Sequence, residues 1–254
     1  MIARSVGWRR ILFIDDDITV SNVEDLRGAA ALTDRFDAVG LRNHGYPDNS
    51  VVCHANRLTS PGQEAFVGGG AMAVKPHTVD SFFPEIYNED WLFLLKSDHL
   101  AKVAACGTVI QQAYDPFDDP GRARREEFGD CIAEGLFSRL DQKKGIHGAD
   151  KAFWTLFLAD RRLLIKQISN QVQRMFTGTE RDRMLASLEA SERSRAEITP
   201  AECVDYLQAW ERDRRLWRAR LAECHTTDSI HEAVEAFGIP AANVHQSAVE
   251  DPRR

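Results

Sequence analysis

The run Ile11-Leu12-Phe13-Ile14-Asp15-Asp16-Asp17-Ile18, residues 11–18, decides how the rest of the chain is read. Four β-favouring apolar residues stop abruptly at three carboxylates, which is the pattern of a short strand buried on both faces whose C-terminal end opens into a site. Carboxylates crowded against a core repel one another and lose hydration, so a cation or hydrogen-bond donors must balance them. A divalent ion meets that need most simply. Oxygen ligands suit Mg²⁺ or Mn²⁺, which share their coordination between one or two carboxylates and substrate phosphates. The plain alternative is a solvated loop that caps the helix after it.

Working outward, residues 21–32 read as a helix, residues 36–41 and 50–54 as short strands, and residues 43–49 as the turn-rich loop between those strands. In residues 66–74, Gly68, Gly69 and Gly70 separate two apolar runs, where backbone must approach something closely. Residues 88–95 open with Asn88 as a candidate N-cap, followed by Glu89 and Asp90 in an acidic first turn. Residues 103–112 read as a further strand. Residues 1–120 are therefore α/β in character. Beyond them the chain turns helical, with apolar positions at three- and four-residue steps over 122–143, 150–176, 180–194, 199–224 and 228–237. The expected organisation is an α/β region over 1–120 and a helical region over 121–254.

Composition narrows the function classes. With 32 basic and 39 acidic residues the formal charge is -7, which argues against a general polyanion binder and hence against a nucleic-acid partner. Five cysteines without CxxC spacing point to reduced thiols rather than a disulfide framework or a zinc site. No apolar stretch reaches the roughly 18 residues of a membrane span, and the N-terminal run is too short for a signal peptide, so a cytoplasmic protein is expected.

ILFIDDDI resembles the DxD strand end of GT-A glycosyltransferases, the family 2-like group in particular. FVGGGAMAVKP followed by NEDWLF has the order of that family's glycine-containing segment and acidic pair, so the likeness covers roughly residues 3–100. The resemblance implies a partial GT-A sheet followed by a mainly helical region. It implies metal-dependent transfer of a hexose from a nucleotide sugar to a hydroxyl acceptor whose identity is not readable. Asp15 and Asp16 would then lie toward the ribose or base, Asp17 with Asp15 would hold Mn²⁺ or Mg²⁺, and Gly69 and Gly70 would approach the donor sugar. Asp90, or else Glu89, would match the catalytic base. His147, in the basic loop 143–148, would supply a further contact to metal or diphosphate, ahead of His44 and His99. Fourteen residues precede Asp15, fewer than the family's first nucleotide-binding strands require. The expectation is an exposed sheet edge, an incomplete base pocket and weak turnover by this chain alone.

ILFIDDD also resembles the first strand of a receiver domain, but Arg42 stands where the phosphoacceptor aspartate belongs, which excludes phosphotransfer. A degenerate receiver-like or scaffold protein acting as a noncatalytic binding module is the competing reading. Trp210 and Trp217 lie seven residues apart on one helix face, which would serve self-association of the helical region or, more simply, packing within the chain.

Overall fold

The computed structural model describes residues 1–45, 50–60, 68–96 and 99–239. Its strands are β1 (Ile11–Ile14), β2 (Ile18–Thr19), β3 (Ala38–His44), β4 (Ala71–Val74) and β5 (Val103–Gln111). They form one mixed sheet in the order β1-β4-β3-β5-β2. The β3–β5 pair is parallel, while β1–β4, β3–β4 and β2–β5 are antiparallel. That pattern is unlike the all-parallel, doubly wound sheet of a receiver.

Alternation along β4 explains how the sheet is covered. Ala71 and Ala73 join Val39, Leu41 and Val109 in a core beneath helix α2 (Val23–Leu32), capped by Asn22, whose side chain accepts from the Glu24 N–H. Met72 and Val74 join Ala38, Phe93 and Leu94 on the opposite face, under helix α4 (Glu89–Leu94). A four-residue helix, α1 (Ile2–Ser5), precedes β1.

Two expectations change here. β1 is not a strand buried on both faces: it pairs with β4 alone at the edge of the sheet, Ile11, Leu12 and Phe13 are half-buried, and Ile14 is 42% exposed. Residues 50–54 are not a strand. They open helix α3 (Val51–Thr59), in which Ser50 caps the N-terminus by accepting from the Cys53 N–H. Val51, Val52, Ala55 and Thr59 then share a buried helical face, a spacing that a five-residue window cannot reveal.

The remaining helices are α5 (Pro120–Asp141), α6 (Lys151–Met175), α7 (Gly178–Glu197), α8 (Pro200–Ala222) and α9 (Ile230–Ala236), with a 3₁₀ turn at Ile146–Gly148. Two apolar cores join them to helices α4 and α3 of the first 120 residues. One joins Leu92 and Leu95 of α4 to Ile132, Leu136, Trp154, Leu207 and Trp210. The other joins Val51, Val52 and Ala55 of α3 to Ile165, Ile168, Val172, Met184 and Leu188. Trp210 is buried in the first core and Trp217 lies 5.9 Å from Phe82, so both tryptophans pack within the chain. Among the described residues no helix is long and apolar enough to cross a membrane.

Candidate functional site

The acidic triplet leaves β1 and crosses the end of the sheet. Asp15 N–H extends the β1–β4 ladder by donating to the Gly70 carbonyl at 2.9 Å, and three residues later Ile18 pairs with Gln111 at the far edge. Asp17 is tied down there, its Oδ2 accepting from Gln111 Nε2 at 2.8 Å and its carbonyl from the Gln112 N–H at 3.0 Å. Asp15 and Asp16 stay exposed.

Helix α4 brings the second acidic pair to the same place. Asp90 Oδ2 accepts from the Gly69 N–H at 2.6 Å, and its Oδ1 accepts from the Trp91 N–H at 2.9 Å. A Cβ on Gly69 would sit 2.7 Å from Asp90 Cβ, and one on Gly70 would sit 3.2 Å from Asp15 Oδ2. The glycines thus let two carboxylates from distant segments close on one stretch of backbone. The structure places Asp15 against Gly70 and Asp90 against Gly69, with Asp16, Asp17 and Glu89 near enough to act on Asp15 or be acted on by it, but it sets no three of these carboxylates within 4.8 Å of one another.

The electrostatics follow from that convergence. Burial, and then the charges of Asp17 and Asp16, push the Asp15 carboxyl above its ordinary value. Glu89 is raised by burial and by Asp15. Asp90 is pushed up to about 6, chiefly by burial and secondarily by Glu89, against the lowering effect of the Gly69 N–H. No lysine, arginine or histidine forms an ion pair with any of these five carboxylates among the described residues. Among the described residues, negative charge is concentrated here with hydrogen-bond donors but no ion-paired cation.

Other candidates lie elsewhere. His147 Nδ1 is 2.6 Å from Glu211 Oε1 on α8, and nothing joins it to the triplet. His44 ends β3 opposite Ile110, and the His99 carbonyl accepts from the Lys96 N–H at 2.8 Å. Asn88 does not cap α4. Its backbone is left-handed at φ 62°, and its Nδ2 donates to Asp130 Oδ1 at 2.8 Å. Residues 46–49, 66 and 67 of the expected loop and glycine segment lie outside the described residues.

Sequence reasoning missed a buried charge cluster. Arg161 of α6 donates to Glu127 Oε1 at 2.9 Å, Asp130 Oδ2 at 2.8 Å and Glu134 Oε2 at 2.7 Å, and Ser191 Oγ also donates to Glu127. Cys53, Asp130 and Glu134 offer ligand atoms within 4.8 Å of one another. Arg161 supplies a cation there, and burial raises both the Asp130 carboxyl and the Cys53 thiol. The cluster's signal in the sequence is three carboxylates at three- and four-residue spacing on one face of α5.

A cavity of about 540 Å³ lies outside the carboxylate group, lined by His54, Leu58, Tyr114, Asp115, Phe117 and Arg183 among others. Its lining includes Ala113, two residues along the chain from the Gln111 that holds Asp17. No protein-family model matches this chain, and no curated protein or solved structure matches it either.

Proposed function

We propose that the chain acts in metal-assisted hexosyl transfer, binding a nucleotide sugar at the sheet end that carries Asp15, Asp16 and Asp17. The observation that supports this reading is the gathering of five carboxylates from two separate segments, with Asp15 against Gly70 and Asp90 against Gly69, and with no ion-pairing cation among the described residues. Such a group calls for an external cation, and its all-oxygen donor set suits Mg²⁺ or Mn²⁺. Asp15 and Asp17 would hold the ion. When bound, it stabilises the negative charge that develops on a leaving nucleoside diphosphate.

The chain's own residues have separable tasks. Gln111 and the Gln112 N–H orient Asp17. Gly69 and Gly70 admit the Asp90 and Asp15 carboxylates to the backbone, and the donor sugar would lie beside them, with Asp16 exposed at the rim. Asp90, at about 6, is matched to accepting a proton from an acceptor hydroxyl near neutral pH, and the exposed Glu89 is its alternate. The aromatic and charged cavity that includes Ala113 is a recess in which an acceptor could be held.

Calorimetric titration with a panel of nucleoside diphosphate sugars, with and without Mn²⁺, tests this. Wild-type protein is expected to bind at least one donor in an Mn²⁺-dependent way, and Asp17→Ala to weaken it at least about tenfold. Silence across the whole panel in both conditions sinks the reading. Donor binding without sugar transfer to any hydroxyl acceptor would instead make the chain a binding module.

A further inference from the structure

Helix α8 turns one stripe inward, through Cys203, Leu207, Trp210, Arg214 and Leu221. The steps of three, four and seven residues are those of a core-facing seam, and four of the five residues suit one. Arg214 does not. It is 3% exposed, and neither its Nε nor its Nη2 finds a hydrogen-bond acceptor. The contrast with Arg161 is direct, since that equally buried guanidinium is met by three carboxylates. A buried guanidinium with two of its three nitrogens lacking acceptors is costly and calls for an explanation, of which a bound ion is one.

The surroundings say what that is. The Arg214 guanidinium lies over the Trp210 ring, 4.7 Å from its centroid. One turn on, Arg218 Nε donates to Asp80 Oδ2 at 3.0 Å, and Lys96 Nζ reaches Asp80 Oδ1 at 3.4 Å. Burial raises the Asp80 carboxyl, but Lys96 and Arg218 outweigh it and hold the group below its ordinary value. The second carboxylate nearby, Glu211, is engaged with His147. Among the described residues Lys96 and Arg218 share the Asp80 carboxylate, which Arg214 feels only as a longer-range charge. Trp210 and Trp217 add indole N–H groups that are buried without an acceptor. Among the described residues the corner is rich in donors and positive charge and short of acceptors. A water molecule would satisfy donors but not charge, whereas an oxyanion does both, and the planar guanidinium fits it in bidentate fashion.

We propose that Arg214, with Arg218 and Lys96 beside it, binds a phosphate group between α8 and the segment carrying Asp80 and Phe82. This site is separate from the carboxylate group: β4 runs from Ala71, opposite Ile14, to Val74, opposite Ile11, so Asp80 follows from the other end of the sheet. The proposal stands whether or not the chain transfers sugars.

Isothermal titration and thermal unfolding with inorganic phosphate and with glycerol phosphate, in EDTA and with ionic strength balanced by NaCl, provide the test. Wild-type protein should bind saturably and gain thermal midpoint, with chloride alone giving neither. Tighter binding of inorganic phosphate would identify a free ion as the natural occupant, and tighter binding of the ester a phosphorylated metabolite. Arg214→Met, which fits the apolar seam, should lose the response while being at least as stable as wild type without phosphate. Arg218→Met should weaken binding at least about tenfold. No saturable binding by wild type, or equal binding by Arg214→Met, overturns the proposal. If Arg214→Met does not fold, unchanged binding by Arg218→Met overturns it.

Discussion

Asp90 shows how one side chain registers the whole site. Its carboxyl is held near 6 mainly because burial disfavours the charged form, and the Gly69 and Trp91 N–H groups only partly offset that. The sign of the pH effect follows. A carboxyl whose folded-state pKa is raised binds its proton more tightly when folded, so its stabilising contribution is complete below about pH 4 and is lost as pH rises through about 6. Asp90→Asn has no proton to lose. Whatever fixed cost the variant carries from its altered bond to Gly69, the stability difference should move in the variant's favour between pH 4 and pH 7, by up to roughly 3 kcal/mol. Urea unfolding of both proteins at several pH values measures this, and a flat difference would show that Asp90 is ordinarily solvated. Asp15, Asp17, Glu89 and Asp90 were legible as site candidates because charge beside an apolar run is a local signal. Arg161 and Arg214 were not, because a charged residue in a helix reads as solvent-facing until its stripe is traced: 203, 207, 210, 214 and 221 form one face.

At the scale of elements, helix α5 offers a test in which propensity and packing point opposite ways. Gly129 lies inside this helix, where alanine is normally better by about 1 kcal/mol. A Cβ there would collide with the Tyr87 carbonyl oxygen and Cβ, and backbone cannot swing aside as a flexible side chain can. Packing wins: Gly129→Ala should lower stability by roughly 1–3 kcal/mol, read by thermal unfolding, and a stabilised variant would refute the close approach of Tyr87 to α5. The same contact explains where element boundaries were misread. Tyr87 leads into Asn88, whose side chain is drawn to Asp130 on α5 instead of capping α4. Likewise Ser50 begins α3 because its hydroxyl meets the Cys53 N–H, while the Val51 N–H donates to Glu126 of α5 at 2.9 Å. Residues 50–54 favour a strand by composition, and a partner about 75 positions away makes them helical. The long helices α5 to α8 came close to their expected spans because twenty or more residues of periodic pattern outweigh such local ambiguity.

For the whole molecule the question is whether the sheet and the helices behave as one unit, and α4 bears on it directly. Within six residues it sends Phe93 and Leu94 into the core against the sheet and Leu92 into the core shared with α5, α6 and α8, where Leu95 follows. Helix α3 packs its Val51, Val52 and Ala55 against α6 and α7, so this segment from before residue 120 belongs to the helical core. Neither core can open without uncovering apolar surface on both sides of residue 120, so partial unfolding of the helical region should expose the sheet region as well. Four tryptophans, Trp91, Trp154, Trp210 and Trp217, report on the helical side, as members of that core, packed against it, or in contact with Phe82 at its margin. Denaturant unfolding followed by tryptophan fluorescence should therefore coincide with unfolding followed by far-ultraviolet circular dichroism in a single transition. Two separated transitions would mean that the contacts of α3 and α4 contribute little. The arrangement also ties function to stability, since Glu89 and Asp90 stand on the first turn of this same wedge. Truncating Leu92 or Leu95 to alanine should displace the acidic pair from Gly69 as well as costing about 2–5 kcal/mol. The raised Asp90 titration near pH 6 should then be lost together with the fluorescence of the buried indoles, and a variant that lost stability yet kept that titration would separate the site from the core beneath it.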